Sequence, residues 1–380
     1  MQKLGDYIRE VDVRNKDLKV TNLMGIKIDK YFMPSVANTI GTDLSNYKVV
    51  SKNQFACNLM HVGRDEKIPI AILLDENKII VSPAYFTFEI INFELLLPEY
   101  LMMWFSRKEF DRNAWFYTDA DVRGGMDKRT LMDMQLPIPS IEQQREIVSE
   151  YETISKRIKL NEQIIKNLEA TAQTLYHKMF VEGIDKENLP EGWRIGTIKE
   201  LCEVRDGTHD SPNYIENGYP LLTSIHLSAW KLLLDKACLI SEQDYNKINE
   251  RSLVETKDIL FSMIGTVGVI SFVLYTNIKF AVKNVAIFKT SHNLYFAEYL
   301  LFFFKSKEMQ ILIKESMSGS TQNYITLNTL RDIPIIIPNK DIVKQFHNVT
   351  NKIVSQIWNI TQDNEKLIEL QSLLLAKMGK

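Results

Sequence analysis

The sequence contains few cysteines and no marked excess of charge of either sign. Its three cysteines, Cys57, Cys202 and Cys238, are scattered along 380 residues without a CxxC pair. This usage excludes a disulfide framework and a zinc knuckle, and it predicts a protein of the reducing cytoplasm. The formal net charge of −2 gives no overall signature of nucleic-acid binding, so such a function would have to depend on local patches.

Motifs of common nucleotide-binding and metal-dependent enzymes are also missing. The chain has neither a GxxxxGK[ST] phosphate loop nor a GxGxxG fingerprint. SPNY at 211–214 lacks the first acid or amide and the second proline of an amino-methyltransferase motif. Cys57 and His61 have no second pair with which to hold a metal, and no nucleophile stands at a recognisable spacing from His209 and Asp210. These absences argue against a catalytic enzyme and against a metal site.

Long hydrophobic runs are rare in the sequence. The opening MQKLGDYIREV has no apolar core and does not resemble a signal peptide. One uncharged segment, 259–278, is about long enough to cross a membrane as a helix. It contains Gly265 and Gly268 and is rich in β-branched and aromatic residues, which favours two buried strands joined by a glycine turn. We therefore expect no membrane partner.

The overall composition is that of an ordinary globular protein. Hydrophobic residues make up 45% of the chain and charged residues 25%, and no low-complexity tract interrupts it. A length of 380 residues is enough for two or more domains, each with a sizeable core.

What the sequence does contain is an internal repeat. LMDMQLPIP, which ends at Pro139, aligns with LRDIPIIIP, which ends at Pro338. The same offset of 199 residues continues without a gap over roughly fifty positions and brings LYHKMF at 175–180 onto LLAKMG at 374–379. A match of this length without a gap predicts that the chain is built from two similar frames.

Each copy of the repeat also has the heptad spacing of a coiled coil. Seam residues alternate at spacings of four and three along 147–179 and 346–378, which predicts two long helices. One asparagine interrupts each seam, Asn161 or Asn364, and a polar residue at such a position usually fixes register or partner choice. The apolar seam positions are Ile147, Ile154, Ile158, Ile165, Leu168 and Leu175 in the first copy, and Phe346, Ile353, Ile357, Ile360, Leu367 and Leu374 in the second.

The simplest partner of each seam is the other seam, since either helix alone would leave a long apolar stripe in water. The alternative is a pair of ordinary amphipathic helices, each packed on a globular body.

Two globular inserts of different sequence alternate with the helices. In the first insert, 68–74 and 78–90 are predicted strands and 97–110 is a predicted helix. The second insert repeats this order and ends in a predicted helix over 294–309. The fold class is therefore α+β. The predicted domains are residues 1–140 (globular), 141–180 (long helix), 181–338 (globular) and 339–380 (long helix).

The loops of both inserts are rich in polar side chains that can contact DNA. Arg, Lys, Asn and Gln read base edges, whereas Ser, Thr and backbone amides hold phosphates. For each residue alone, the alternative is an exposed polar group with no binding role. The candidate DNA-binding residues are Lys52, Asn53, Asn58, His61 and Arg64 in the first insert, and Thr208, His209, Ser224, Lys283, Asn284, Ser320, Thr321 and Gln322 in the second.

Several motifs together resemble the specificity subunit of type I restriction–modification systems (the S, or HsdS-like, subunit). LPIPSIEQQREIV at 136–148, followed by the heptad helix and LYHKMF, is similar to the central conserved region of that family. LPEGWRIGTIKEL at 189–201, DGTHDSP at 206–212 and KDILFSMIGTVG at 257–268 resemble parts of its second recognition domain. The chain departs from the family pattern in two places: the first half lacks an LPxGW opening, and Val269 stands where the family often has a basic residue.

The resemblance implies an architecture and a target. Residues 1–140 and 181–338 would be target-recognition domains, and the two helices would pair as an antiparallel coiled coil with pseudo-twofold symmetry. About 38 helical residues give a rod of roughly 57 Å, and major-groove half-sites on one face of DNA recur every ~34 Å. The expected target is therefore a bipartite, asymmetric site on double-stranded DNA with a spacer of fixed length.

The resemblance also implies partners. Two methylation (M) subunits would carry S-adenosylmethionine and flip an adenine out of the duplex, and restriction (R) subunits would use ATP and Mg. The chain itself would bind no cofactor and would supply sequence choice without catalysis. Three alternatives remain: a coiled-coil adaptor that joins protein partners without reading DNA, a self-contained methyltransferase or nuclease, and a subunit of a related type II-like system.

Overall fold

Helices and strands are mixed throughout the computed structural model, which describes residues 2–36, 41–60, 62–118, 124–317 and 324–378. The chain forms two compact units. The first unit is Met1–Ile158 together with Lys366–Lys380, and the second unit is Lys159–Glu365. Each unit therefore contains one globular part of the chain and portions of both predicted long helices.

The first unit has a four-stranded antiparallel sheet and three smaller strand pairs. Its strands are β1 (Gln2–Lys3), β2 (Ile8–Glu10), β3 (Met24–Ile26), β4 (Phe32–Pro34), β5 (Lys48–Val50), β6 (Gln54–Cys57), β7 (Ile70–Ile72), β8 (Ile79–Val81), β9 (Phe86–Ile90) and β10 (Gln135–Leu136). The four-stranded sheet has the order β2-β9-β6-β7, and the pairs are β3-β4, β5-β8 and β1-β10. The helices are α1 (Val62–Asp65), α2 (Pro98–Phe105), α3 (Lys108–Phe116), α4 (Lys128–Asp133) and the start of α5 (Ile141–Phe180).

β6 is one of the two inner strands of this sheet, and its last three residues are apolar and buried on both faces. Phe55 and Cys57 point into the larger core, where Phe55 stacks on Phe88 at a centroid distance of 5.0 Å. Ala56 points the other way, into a smaller core that includes Val50. The segment on each side of β6 is a loop, so the strand separates two groups of polar residues.

The second unit has the same kinds of element in a similar order. Its strands are β11 (Arg194–Thr197), β12 (Val204–Asp206), β13 (Tyr219–Leu222), β14 (Cys238–Ile240), β15 (Ile259–Ser262), β16 (Ile270–Phe272), β17 (Ala281–Val282), β18 (Val285–Phe288) and β19 (Pro334–Ile337). They form sheets in the orders β12-β18-β15-β16 and β14-β13-β17, and the pair β11-β19. Its helices are α6 (Ile198–Leu201), α7 (Glu242–Ser252), α8 (Leu294–Phe304), α9 (Lys307–Met317), α10 (Leu327–Arg331) and most of α11 (Lys340–Lys377).

The uncharged segment 259–278 contains two strands and a glycine turn, which confirms the sequence prediction. β15 pairs antiparallel with β16, and Gly265 and Gly268 take positive φ values of 78° and 89° in the connection. A side chain would strain the backbone at both positions. None of the helices in the described parts of the chain is both long enough and apolar enough to cross a membrane.

Both predicted insert helices are shorter in the structure than the sequence indicated. The segment 97–110 divides into α2 and α3 because Ser106 ends the first helix, with its hydroxyl donating to Met102 O at 2.9 Å. The segment 294–309 divides into α8 and α9 at Ser306, whose Oγ accepts from Met309 N–H at 3.3 Å and caps the second helix. The prediction of single helices was wrong because a serine competes with the helical backbone bonds at each break.

Within the second unit, α5 and α11 pack side by side and run in opposite directions. Asn161 Nδ2 donates to Asn364 Oδ1 at 2.7 Å, and both side chains are buried. Further along α5, Phe180 meets Phe346 of α11 at a centroid distance of 5.1 Å. Within the first unit, Gln371 Nε2 donates to Ser155 Oγ at 2.7 Å.

The buried face of these helices is wider than the predicted seam. Phe346 and Ile357 are fully buried, and the other ten predicted seam residues are partly buried. The fully buried residues that lie one position away from the predicted seam are Tyr176, Phe180, Val354 and Thr361. The cause is packing on the globular part of the second unit, where Phe180 also meets Tyr299 of α8 at 4.8 Å.

Several elements recur at the spacing of the sequence repeat. β10 and β19, α4 and α10, and α5 and α11 each begin 199 residues apart. In the first unit, β10 pairs antiparallel with β1, which begins that unit's globular part. In the second unit, β19 pairs antiparallel with β11, which begins the corresponding globular part.

The burial of Ile357 yields a direct test of helix packing. Replacing Ile357 with Asp places an unpaired charge in an apolar core, and we expect a loss of about 3–5 kcal/mol in unfolding free energy. Ile158→Asp should cost less, because Ile158 is only partly buried. The exposed Gln356→Asp is the matched control, with a change within about 0.5 kcal/mol. Urea denaturation measures all three; equal midpoints for Ile357→Asp and Gln356→Asp would contradict this packing.

Candidate nucleic-acid interface

Four of the sequence-predicted residues come together in the second unit. The loop that follows β12 lies against the turn between β17 and β18, where Thr208 N–H donates to Val282 O at 3.0 Å and Asn284 N–H donates to Thr208 O at 3.1 Å. These bonds place His209 beside Asn284, and Lys283 Nζ donates to Ser211 Oγ at 2.6 Å. The resulting group of Thr208, His209, Lys283 and Asn284 is called the second-unit cluster below.

His209 is held between two oxygen atoms. Its Nδ1 lies 2.7 Å from Asn284 Oδ1, and its Nε2 lies 2.6 Å from Asp206 Oδ2. Because both ring nitrogens face acceptors, the doubly protonated ring satisfies both contacts. The bond to Asn284 and the charge of Asp206 raise the pKa of His209, against an opposing effect of burial. The cluster therefore favours a positive charge on an exposed loop.

Two positions in this cluster depend on backbone geometry. Asn284 has φ of +55°, a conformation that asparagine tolerates better than most residues. At Gly207, an added Cβ would lie 2.7 Å from Val282 O, so only glycine allows the two segments to approach this closely. Sequence reasoning missed Gly207, although the Asp-Gly pair at 206–207 was a turn signal.

Ser224 lies elsewhere in the second unit, beside the glycine turn that follows β15. It begins a short 3-10 helix, Ser224–His226, and its Oγ is 3.9 Å from the position that a Cβ on Gly265 would take. Within the turn, Val269 N–H donates to Ser262 Oγ at 2.8 Å. Because this bond occupies the Val269 N–H, that amide is not available to bind a phosphate. We therefore expect the turn to contact a ligand through its side chains.

In the first unit, β6 separates the predicted residues into two groups. Lys52 and Asn53 precede the strand, whereas Asn58 and Arg64 follow it. Four strand residues span about 13 Å, so the two groups lie beyond opposite ends of this strand. Lys52 pairs with Glu76.

The group that follows β6 is ordered by its own contacts. Asn58 Oδ1 accepts from Met60 N–H at 3.1 Å. Arg64 forms a two-pronged ion pair with Asp65, at 2.7 and 3.0 Å. This pair raises the pKa of Arg64, and a base or phosphate would have to compete with the Asp65 carboxylate for the guanidinium. The ion pair with Asp65 thus holds the Arg64 side chain in one orientation and neutralises its charge.

Four predicted residues lie outside the described residues: His61, Ser320, Thr321 and Gln322. Cys57, which the sequence places four positions before His61, is fully buried in β6, and burial raises the pKa of its thiol. Among the residues whose placement is described, no group of three or more His, Cys, Asp or Glu side chains could hold a metal ion.

Comparison with known proteins gives matches to specificity domains and subunits of type I restriction systems. Residues 190–369 match the type I restriction modification DNA specificity domain. The chain is 24% identical over 310 residues to the type I restriction enzyme MjaIX specificity subunit of Methanocaldococcus jannaschii, covering 74% of this chain and 68% of that protein. It is 21% identical over 379 residues to the type I restriction enzyme HindI specificity subunit of Haemophilus influenzae, covering 80% and 81% respectively.

A solved structure shares the fold. The crystal structure of a type I restriction–modification system S subunit from M. genitalium aligns with a TM-score of 0.57 and 12% identity. The alignment covers 100% of this chain and 95% of that one.

The contacts of His209 predict a pH dependence for the second-unit cluster. Because the pKa of His209 is raised in the folded chain, its contribution to stability is complete below the ordinary value of about 6.5 and is lost as pH rises through the raised value. Asn284→Gly keeps the positive φ but removes the amide, and it should lower the pKa of His209 toward its ordinary value. An NMR titration of the His209 imidazole measures its pKa in the wild-type protein and in Asn284→Gly. Identical titration curves in the two proteins would contradict the role of Asn284.

Proposed function

We infer that this chain is a specificity subunit of the type I restriction–modification class, which selects the DNA sequence on which partner subunits act. The match of residues 190–369 to the DNA specificity domain carries this conclusion. Similarity to specificity subunits also extends over 74% and 80% of the chain in the two relatives compared.

We further propose that the chain is an internal duplication. The gapless offset of 199 residues in the sequence is matched by the starts of three pairs of elements, as described above. In this proposal, residues 1–140 and 181–338 are target-recognition domains, and residues 141–180 and 339–380 form an antiparallel coiled coil. The bond between Asn161 and Asn364 supports the pairing of the two helices, because each buried amide satisfies the other.

The proposed target is a bipartite, asymmetric DNA site. Two similar frames carry two different sets of loops, so each frame should read a different short word. The second unit presents the cluster around His209, whereas the first unit presents Asn58 and Arg64 after β6. A helix pair of fixed register would set the distance between the two readers, and hence the length of the unspecified spacer.

We propose that the chain is not itself catalytic and acts within a larger complex in the cytoplasm. Two methylation subunits with S-adenosylmethionine would modify an adenine in each word, and restriction subunits with ATP and Mg would cleave unmodified DNA. The local charge balance supports this division. Three of the candidate cations already face carboxylates, Arg64 with Asp65, Lys52 with Glu76 and His209 with Asp206, so each would have to exchange that partner to bind a phosphate.

This proposal predicts weak DNA binding by the isolated chain and sequence-specific binding by its complex. We expect the chain to co-purify with a methylation subunit encoded beside it, and the complex to prefer one bipartite sequence by at least about a thousandfold over random DNA. Adding or removing one spacer base pair should abolish most of that preference.

Fluorescence anisotropy with a duplex library measures these affinities. A complex that forms but binds all duplexes equally would contradict the proposal and favour a protein adaptor. Tight, specific binding by the isolated chain would contradict the division of roles.

A further inference from the structure

Each unit presents one exposed apolar side chain at the same place in its fold. Met60 follows β6 in the first unit and Ile264 follows β15 in the second, and their side chains are 43% and 44% exposed. The preceding residues have matching backbone bonds. Met126 N–H donates to Leu59 O at 2.9 Å, and Ile325 N–H donates to Met263 O at 3.0 Å.

The matching bonds tie both positions to the sequence repeat. Met126 and Ile325 lie 199 residues apart, which is the offset of the repeated frames. Leu59 follows β6 by two residues and Met263 follows β15 by one, and β6 and β15 hold the same place in the strand orders of the two four-stranded sheets. Met60 and Ile264 are therefore equivalent positions of the two frames, although the gapless offset of the repeat does not pair them in the sequence.

One polar candidate for DNA binding lies near each of the two apolar residues. Asn58 accepts a bond from the backbone of Met60, and Ile264 adjoins Gly265, which faces Ser224. Ile264 also forms an antiparallel bridge with Tyr324. Met60 or Ile264 by itself offers too little apolar area for a protein interface, and each side chain matches the size of one apolar group on a base.

We propose that Ile264 and Met60 are specificity residues that pack against the 5-methyl group of a thymine in the major groove, one in each word. This proposal rests on the proposed function. The thymine methyl is the apolar feature of the major-groove edge. Each word must also contain one, because an adenine that is to be methylated pairs with a thymine.

The two residues should discriminate to different degrees. Ile264 is β-branched and stiff, and its turn is closed by Ser262, which donates to Thr266 O at 2.5 Å and accepts from Val269 N–H. Met60 has a flexible, unbranched side chain that adapts to its surroundings. We therefore expect the second unit to distinguish thymine from uracil more sharply than the first unit does.

The experiment replaces each thymine of the recognised sequence, one at a time, with deoxyuridine, which lacks the methyl group. Binding to the complete complex is measured by fluorescence anisotropy. Wild-type complex should lose affinity about fourfold at one position in the word read by the second unit, and less at one position in the other word. Ile264→Ala should abolish the first effect and leave the second intact, and Met60→Ala should do the reverse.

Controls separate base contact from other effects. Ile311→Ala, a change at a more exposed isoleucine on α9, should leave both uracil effects unchanged. Ile264→Val keeps the branched side chain and should retain most of the first effect, which keeps the test valid if Ile264→Ala is unstable.

The outcomes distinguish this proposal from the one on which it rests. Uracil effects that persist in Ile264→Ala, or that are absent in wild-type complex bound to its preferred sequence, would overturn the assignment of Ile264. The assignment would also be overturned if Ile264→Ala released a methylation subunit while the base preference stayed unchanged. That result would show that Ile264 contacts a protein partner and not a base. A wild-type complex without any sequence preference would instead overturn the proposed function.

Discussion

The paired asparagines on the two long helices are the constraint on which the arrangement of this chain depends. Asn161 and Asn364 are buried and bond to each other at 2.7 Å. If either helix slipped by one turn, both amides would be buried without partners, at a cost of about 1–3 kcal/mol each. Within the second unit, the register fixed in this way also brings Phe180 to Phe346. Apolar residues supply most of the packing energy, but they would tolerate several registers; the amide pair selects one.

A second polar network fastens the sheet of the second unit to α11. Glu298, which is fully buried in α8, accepts from Lys257 Nζ at 3.1 Å and lies 2.6 Å from His347 Nδ1 on α11. Lys257 Nζ also donates to Asn351 Oδ1 at 2.8 Å. Rotation of the sheet relative to α11 would break these contacts and leave the buried charge of Glu298 without a partner, which is energetically costly. The network therefore holds the sheet in one orientation on the helix. The loops that carry His209 and Ile264 are built on the same sheet, so their positions follow from this anchoring.

Sequence reasoning succeeded where one periodicity dominates and failed where tertiary contacts decide. The long helices follow from heptads sustained over ten positions, and β15 and β16 follow from apolar runs on either side of Gly265 and Gly268. The predicted insert helices were longer than the observed ones, because the apolar periodicity continues past Ser106 and Ser306. The side chain of Ser106 ends α2, and that of Ser306 caps the start of α9.

The candidate site was less predictable, for a physical reason. Which loops meet depends on sheet pairing, which a single sequence does not display. The approach of Gly207 to Val282 and the pairing of His209 with Asn284 join residues far apart in the chain. In the first unit, strand β6 separates Lys52 from Arg64, although the sequence places them close together. The equivalence of Met60 and Ile264 likewise emerges only from backbone bonds.

The most direct test of the central claim is single-molecule mapping of N6-methyladenine in the genome of cells with and without this gene. Our account predicts that methylation disappears from one bipartite motif with a fixed spacer when the gene is deleted, and that it returns when the gene is restored. A methylation pattern that is present in both strains and unchanged by the deletion would contradict the claim that this chain chooses the sequence.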